Sequence, residues 1–165
     1  MVLPNRPNGV KTFNFTYQNR ENHELILDLG EALCEVSSRL KGGIQVFFTS
    51  DFILTMYHSL WEVKGIIKKI RDTGKRVFIE SSSELESVFD AQIDEFRQDI
   101  GGMAVEGEGK TSGAVFLAVA GGMLSQGMNL SDEACRCVIV VGIPYGNVND
   151  FRVILKRYVC DHQES

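Results

Sequence analysis

The sequence predicts an α/β fold, a parallel sheet with helices on both faces, and three observations carry that prediction. Short, continuous apolar runs rich in β-branched residues, such as Ala114 to Ala120 and Cys137 to Val141, suit strands buried on both sides of a sheet. Longer segments between such runs carry apolar residues three or four apart, as on one face of a helix. The two patterns alternate along the chain, which is the mark of parallel strands joined by right-handed helical crossovers. A length of 165 residues is enough for one domain with a substantial core.

Taken in order, Phe13-Asn-Phe15-Thr-Tyr17 alternates aromatic and polar residues and reads as a strand. Residues 21 to 40 place Leu25, Ile26, Leu29, Leu33, Val36 and Leu40 on one helical face, and Gly42-Gly43 ends that helix. Ile44 to Phe48 is the next strand. Residues 52 to 73 then read as a second helix with Phe52, Met56, Leu60, Val63, Ile67 and Ile70 as its apolar face, stopped by Gly74. Arg76 to Glu80 is a third strand. Ser83 followed by Glu86 has the pattern of a capping box, and Leu85, Val88, Phe89, Gln92, Phe96 and Ile100 trace a third helix.

The charge balance narrows the function classes. A net charge of −5 argues against a module that holds nucleic acid by bulk charge, since phosphate affinity comes mainly from clustered Lys and Arg. Lys64, Lys68, Arg71 and Lys75 form a basic stripe at helical spacing, which suits either a solvated face opposing the helix macrodipole or a phosphate track. The cysteines Cys34, Cys135, Cys137 and Cys160 include no CxxC pair, so buried free thiols and a reducing compartment are expected. No apolar run approaches the length of a membrane span, and residues 1 to 11 lack the apolar stretch of a signal peptide, so a soluble intracellular chain is expected.

Two polar loops are candidate sites. Thr49-Ser50-Asp51 follows a strand and precedes a helix, where the side chains cap free backbone N–H groups or, alternatively, join them in holding a phosphate. The loop after Ala120 holds Gly121, Gly122, Ser125, Gln126, Gly127, Asn129, Ser131 and Asp132 where a strand leaves the sheet. Ligands of open α/β sheets bind at such carboxyl ends; the competing reading is a turn that satisfies its own backbone. Residues 104 to 111, AVEGEGKT, match a relaxed phosphate-loop pattern. There, however, a helix precedes and a strand follows, the reverse of what the chemistry requires, so a surface loop is expected.

GGIQVFFTSD, VFIES, the segment from Gly113 to Asn147 and DFRVILKRY together resemble the second RecA-like domain of the XPD-type superfamily 2 DNA helicases. The resemblance points to the eukaryotic branch with the sister-chromatid-cohesion, Fanconi anaemia J and telomere-length-regulating helicases. The resemblance runs from about Phe13 to Asp161 and implies a RecA-like three-layer fold, incomplete at the C-terminus. It divides the chain into an N-terminal arm (1–11), a helicase domain lacking motif VI (12–161) and a tail (162–165). Phe47 to Asp51 corresponds to motif IV and Ser125 to Asp132 to motif V. By the same resemblance Thr49, Ser50, Gly121, Gly122 and Ser125 face single-stranded DNA, and Gln126, Gly127 and Asn129 lie near the nucleotide. ATP and Mg would be shared with a first RecA-like motor domain, and the family's iron–sulfur cluster would lie outside this chain. The resemblance also implies a nuclear protein with no membrane partner.

Several positions depart from the family pattern. Met123 stands where the family usually has Lys, and Gln126 where it has Glu. Those losses remove a phosphate-seeking cation and a carboxylate able to orient water. The expectation is a chain that does not hydrolyse ATP alone and binds single-stranded DNA weakly. Three readings remain open: part of an ATP-dependent DNA helicase, a non-catalytic helicase-like binding protein, or a small nucleotide-binding protein resting on AVEGEGKT.

Overall fold

A computed structural model describes residues 12–81, 86–100, 112–127 and 135–143, together with Leu155 and Tyr158. The 1–11 arm, the capping serine Ser83, the AVEGEGKT loop, Asn129, Ser131, Asp132, Cys160 and the 162–165 tail lie outside the described residues, as do the side chains of Gln126 and Gly127.

The chain first forms helix α1 (His23–Arg39), started by Asn22, whose side-chain oxygen accepts from the Leu25 N–H at 3.2 Å. Leu25, Ile26, Leu29 and Leu33 are its buried stripe. Strand β1 (Gly42–Phe48) leads into α2 (Asp51–Val63) and α3 (Ile66–Asp72). Strand β2 (Lys75–Ile79) is followed by α4 (Glu86–Ile100), then β3 (Gly113–Val119), the short α5 (Met123–Gly127) and β4 (Cys137–Val141).

Three expectations are corrected. The continuous helix over residues 52 to 73 is broken at Gly65, which adopts the left-handed conformation at φ +74° and separates α2 from α3. An L-residue pays for that conformation and glycine does not. The buried face of α2 is Ile53, Leu54, Tyr57 and Trp61, while Phe52 and Val63 are exposed. Two polar anchors decide this face: the Trp61 indole N–H donates to the Ile26 carbonyl at 2.8 Å, and the Tyr57 hydroxyl donates to the Arg20 carbonyl at 2.8 Å. Residues 13 to 17 do not join the sheet. Phe13 and Phe15 stack on each other at 5.5 Å and pack half-buried against the core, and a turn closed by the Asn19 and Arg20 N–H groups on the Thr16 carbonyl follows.

The four described strands form one all-parallel sheet in the order β2-β3-β1-β4. Along β3 the side chains alternate between two cores, as strand pleating requires. Val115 and Leu117 join Ile44, Val46, Phe48, Tyr57 and Trp61 under α1, α2 and α3. Ala114, Phe116 and Ala118 join Phe78, Phe89, Ile93, Phe96 and Leu124 under α4 and α5. The result is the expected three-layer arrangement. Helices α1, α2 and α3 cover the first face, whereas α4, which follows β2, and α5, which follows β3, pack on the second. Among the described residues no helix is long and apolar enough to cross a membrane.

Gly65 gives a direct test of the helix break, because an added Cβ there meets nothing within 4 Å and only the backbone is strained. Gly65→Ala is expected to cost about 1–2 kcal/mol in urea unfolding followed by fluorescence of the sole tryptophan, Trp61. An unchanged midpoint would show that α2 and α3 can run on as one helix.

His58 supplies a pH dependence. Burial holds it below its ordinary value of 6.5, with Glu62 opposing and Arg71 reinforcing that shift. As pH falls from 6.5 toward the folded value, the unfolded chain takes up a proton that the folded chain refuses, and stability drops. Above 6.5 this contribution is constant. Urea titrations across that interval should show the acid-side loss in the wild type and a smaller loss in His58→Gln; identical slopes would remove His58 from the account.

Candidate single-strand and nucleotide site

Strands β1 and β3 are neighbours, in register from Gly42 opposite Gly113 to Phe48 opposite Val119. Their carboxyl ends therefore lie about 4.8 Å apart. One further bond, from the Ala120 N–H to the Phe48 carbonyl at 2.8 Å, ties the two exits together just beyond the paired strands. From there the chain after β1 turns to the α2 face and the chain after β3 turns to the α5 face. Adjacent strands whose connections leave to opposite faces open a crevice between them, the preferred ligand position of open α/β sheets.

Five of the expected residues stand at this crevice. Thr49 and Ser50 follow β1, and Gly121, Gly122 and Ser125 follow β3. Ser50 does cap α2: its hydroxyl oxygen accepts from the Ile53 N–H at 3.4 Å. Capping uses the oxygen as acceptor, and the O–H remains a donor by its chemistry. Gln126 and Gly127 are carried by the backbone of α5, while Asn129 lies outside the described residues.

The turn after β3 is tightly closed on itself. The Gly122 N–H donates to the Val119 carbonyl at 2.9 Å, and the Ser125 hydroxyl donates to the Gly122 carbonyl at 2.9 Å. The Met123 side chain is half-buried against the Phe116 core.

Two residues at this edge were not singled out as site residues from the sequence. Glu80, just past β2, is 4% exposed, and its carboxylate accepts from the Val119 N–H at 2.9 Å and the Met123 N–H at 2.5 Å. Arg20 arrives through the turn that precedes α1 and lays its guanidinium 3.9 Å above the Tyr17 ring. Together with Tyr17, Thr49, Ser50, Gly142 and Ile143 it lines a cleft of about 680 Å³ beside the ends of β1 and β4. The available signals were an acid closing an apolar strand and an arginine following an aromatic run.

The basic stripe lies elsewhere. Lys64, Lys68 and Arg71 are exposed on the end of α2 and on α3, which leads to the amino edge of the sheet, and Arg71 lies 3.5 Å from Glu62. Lys75 is not part of the stripe: it is 2% exposed and its ammonium donates to the Gly42 and Ser112 carbonyls at 3.0 Å each. Burial lowers its pKa accordingly.

Cys34, Cys135 and Cys137 are free and half-buried, and burial, helped by Glu31, pushes the Cys34 thiol up to about 11. Among the described residues no group of three His, Cys, Asp or Glu is placed to hold a metal ion.

A three-layer parallel α/β domain with two polar exits at a switch point is consistent with a RecA-like helicase domain, an architecture that many other α/β proteins share. The chain belongs to the helicase C-terminal domain family, whose profile matches residues 33–165. It is similar to the ATP-dependent DNA helicase CHL1 of Yarrowia lipolytica, 32% identical over 164 residues that make up 99% of this chain and 19% of that protein. It is similar to the ATP-dependent DNA helicase DDX11 of Mus musculus, 34% identical over 136 residues, 81% of this chain and 14% of the relative. It is also similar to regulator of telomere elongation helicase 1 of Mus musculus, 32% identical over 160 residues, 97% of this chain and 12% of the relative. The chain thus spans less than a fifth of the length of these relatives. They fall in the XPD-type eukaryotic branch that the sequence resembles.

Proposed function

We propose that this chain is the second motor domain of an ATP-dependent DNA helicase, in which the exits of β1 and β3 form part of a single-strand track and the end of α5 borders the ATP cleft. One observation supports the reading above the rest. Thr49 and Ser50 on one side, and Gly121, Gly122 and Ser125 on the other, emerge from register-paired neighbouring strands at the switch point of the sheet. Hydroxyl donors and glycines that admit a close backbone approach suit a phosphodiester backbone and carry no sequence preference. Gln126, Gly127 and Asn129 are assigned to the nucleotide side. Arg20 adds a cation beside the β1 exit in a chain that is acidic overall.

ATP, when bound, supplies the phosphoryl group whose hydrolysis drives movement; the residues here shape one wall of its cleft. The first RecA-like domain and single-stranded DNA are the partners, and the compartment is the nucleus. A second reading, a helicase-like binding module without catalysis, is favoured by one feature: Met123 packs into the core where the family usually carries a lysine.

Ser50→Asp separates capping from DNA contact, because aspartate is as good an N-cap as serine but brings a negative charge to the phosphate path. The expected result is an unchanged thermal midpoint with about tenfold weaker binding of an oligo-dT strand in fluorescence anisotropy, and wild-type binding that weakens steeply with salt. Equal affinity of wild type and variant would remove the β1 exit from the DNA track.

A further inference from the structure

We infer that Glu80 is the positioning residue of the turn after β3, a carboxylate clamp that sets the shape in which Gly121, Gly122 and Ser125 meet their ligand. The inference deepens the reading above and rests on it for the identity of that ligand. Glu80 leaves β2 at the sheet edge beside β3, and its own N–H donates to the Leu117 carbonyl at 2.8 Å, so its backbone is held as firmly as a strand residue. From that fixed base one carboxylate oxygen takes the Val119 N–H, the last residue of β3, and the other takes the Met123 N–H, the first residue of α5. The clamp spans the whole turn, and the partners are 39 and 43 residues away in sequence.

Two independent features show that the turn is built around this carboxylate. A Cβ on Gly122 would lie 2.4 Å from a Glu80 oxygen, so any larger residue there would push the carboxylate out of its present position. Glu80 is 4% exposed, yet both of its oxygens are met by backbone donors, which removes the desolvation cost that an unpaired buried carboxylate would carry. Glu80 also occupies the first N–H of α5.

Glutamine at position 80 has nearly the same size but only one acceptor oxygen, and its amide would oppose one of the two N–H groups. In Glu80→Gln, amide exchange at Met123 should accelerate while Val46 and Tyr57 in the core keep their protection. Oligo-dT affinity should fall about tenfold. Gly122→Ala should do the same by displacing the carboxylate. Combined with Glu80→Ala, which removes the clash, Gly122→Ala should add little further loss, a non-additivity that a merely structural pair remote from the ligand would not show in binding.

Unchanged Met123 exchange in Glu80→Gln would overturn the clamp, and faster exchange with unaltered DNA affinity would overturn the positioning role. If the wild-type chain fails to bind the strand, the DNA reading falls, while accelerated Met123 exchange in the variant still upholds the clamp.

Discussion

The parallel pairing of β1 with β3 is the constraint on which the other features depend. Because the strands run in the same direction, both deliver their polar exits to one edge, and because their onward connections cover opposite faces, the exits diverge. A one-residue slip would send Val115 and Leu117 to the α4 side and Phe116 to the α1 side, exchanging bulky residues between two cores already filled. Burial of β3 thus fixes the register, and the register fixes the distance between the exits.

The two cores that enforce this register are both aromatic. On one face Phe48, Tyr57 and Trp61 meet edge to face or tilted, with centroids 5.3 to 6.1 Å apart. On the other, Phe116 is surrounded by Phe78, Phe89 and Phe96 at 5.4 to 6.1 Å. Each such side chain contributes roughly 1.5–3 kcal/mol by burial. At the amino edge a buried lysine, Lys75, draws the Gly42 and Ser112 carbonyls together; at the carboxyl edge a buried glutamate, Glu80, draws the Val119 and Met123 N–H groups together. Opposite charges thus serve opposite backbone groups at the two ends of the sheet.

Much of the fold was legible because it rests on local patterns. The strands after residue 40 announced themselves as apolar runs, and α1 as a stripe of Leu25, Ile26, Leu29 and Leu33. The face of α2 was misread because that helix is apolar over much of its circumference, so two stripes fit the period, and hydrogen bonds to Ile26 and Arg20 choose between them. Gly65 was missed because one glycine leaves the apolar spacing intact while its left-handed backbone redirects the chain. Phe13 and Phe15 alternate as a strand would, but alternation alone supplies no neighbouring strand. The site was half legible: Thr49, Ser50, Gly121, Gly122 and Ser125 follow strands in sequence, whereas Glu80 and Arg20 act through partners that only the strand order and the turn before α1 bring near.

If the β1 and β3 exits form one continuous contact surface for a single strand, a bound strand perturbs both exits together. Chemical-shift mapping of the labelled chain titrated with oligo-dT tests it most directly. The account predicts that perturbed amides cluster at Thr49, Ser50, Gly121, Gly122 and Ser125. Perturbations centred instead on the exposed stripe of Lys64, Lys68 and Arg71 would contradict it.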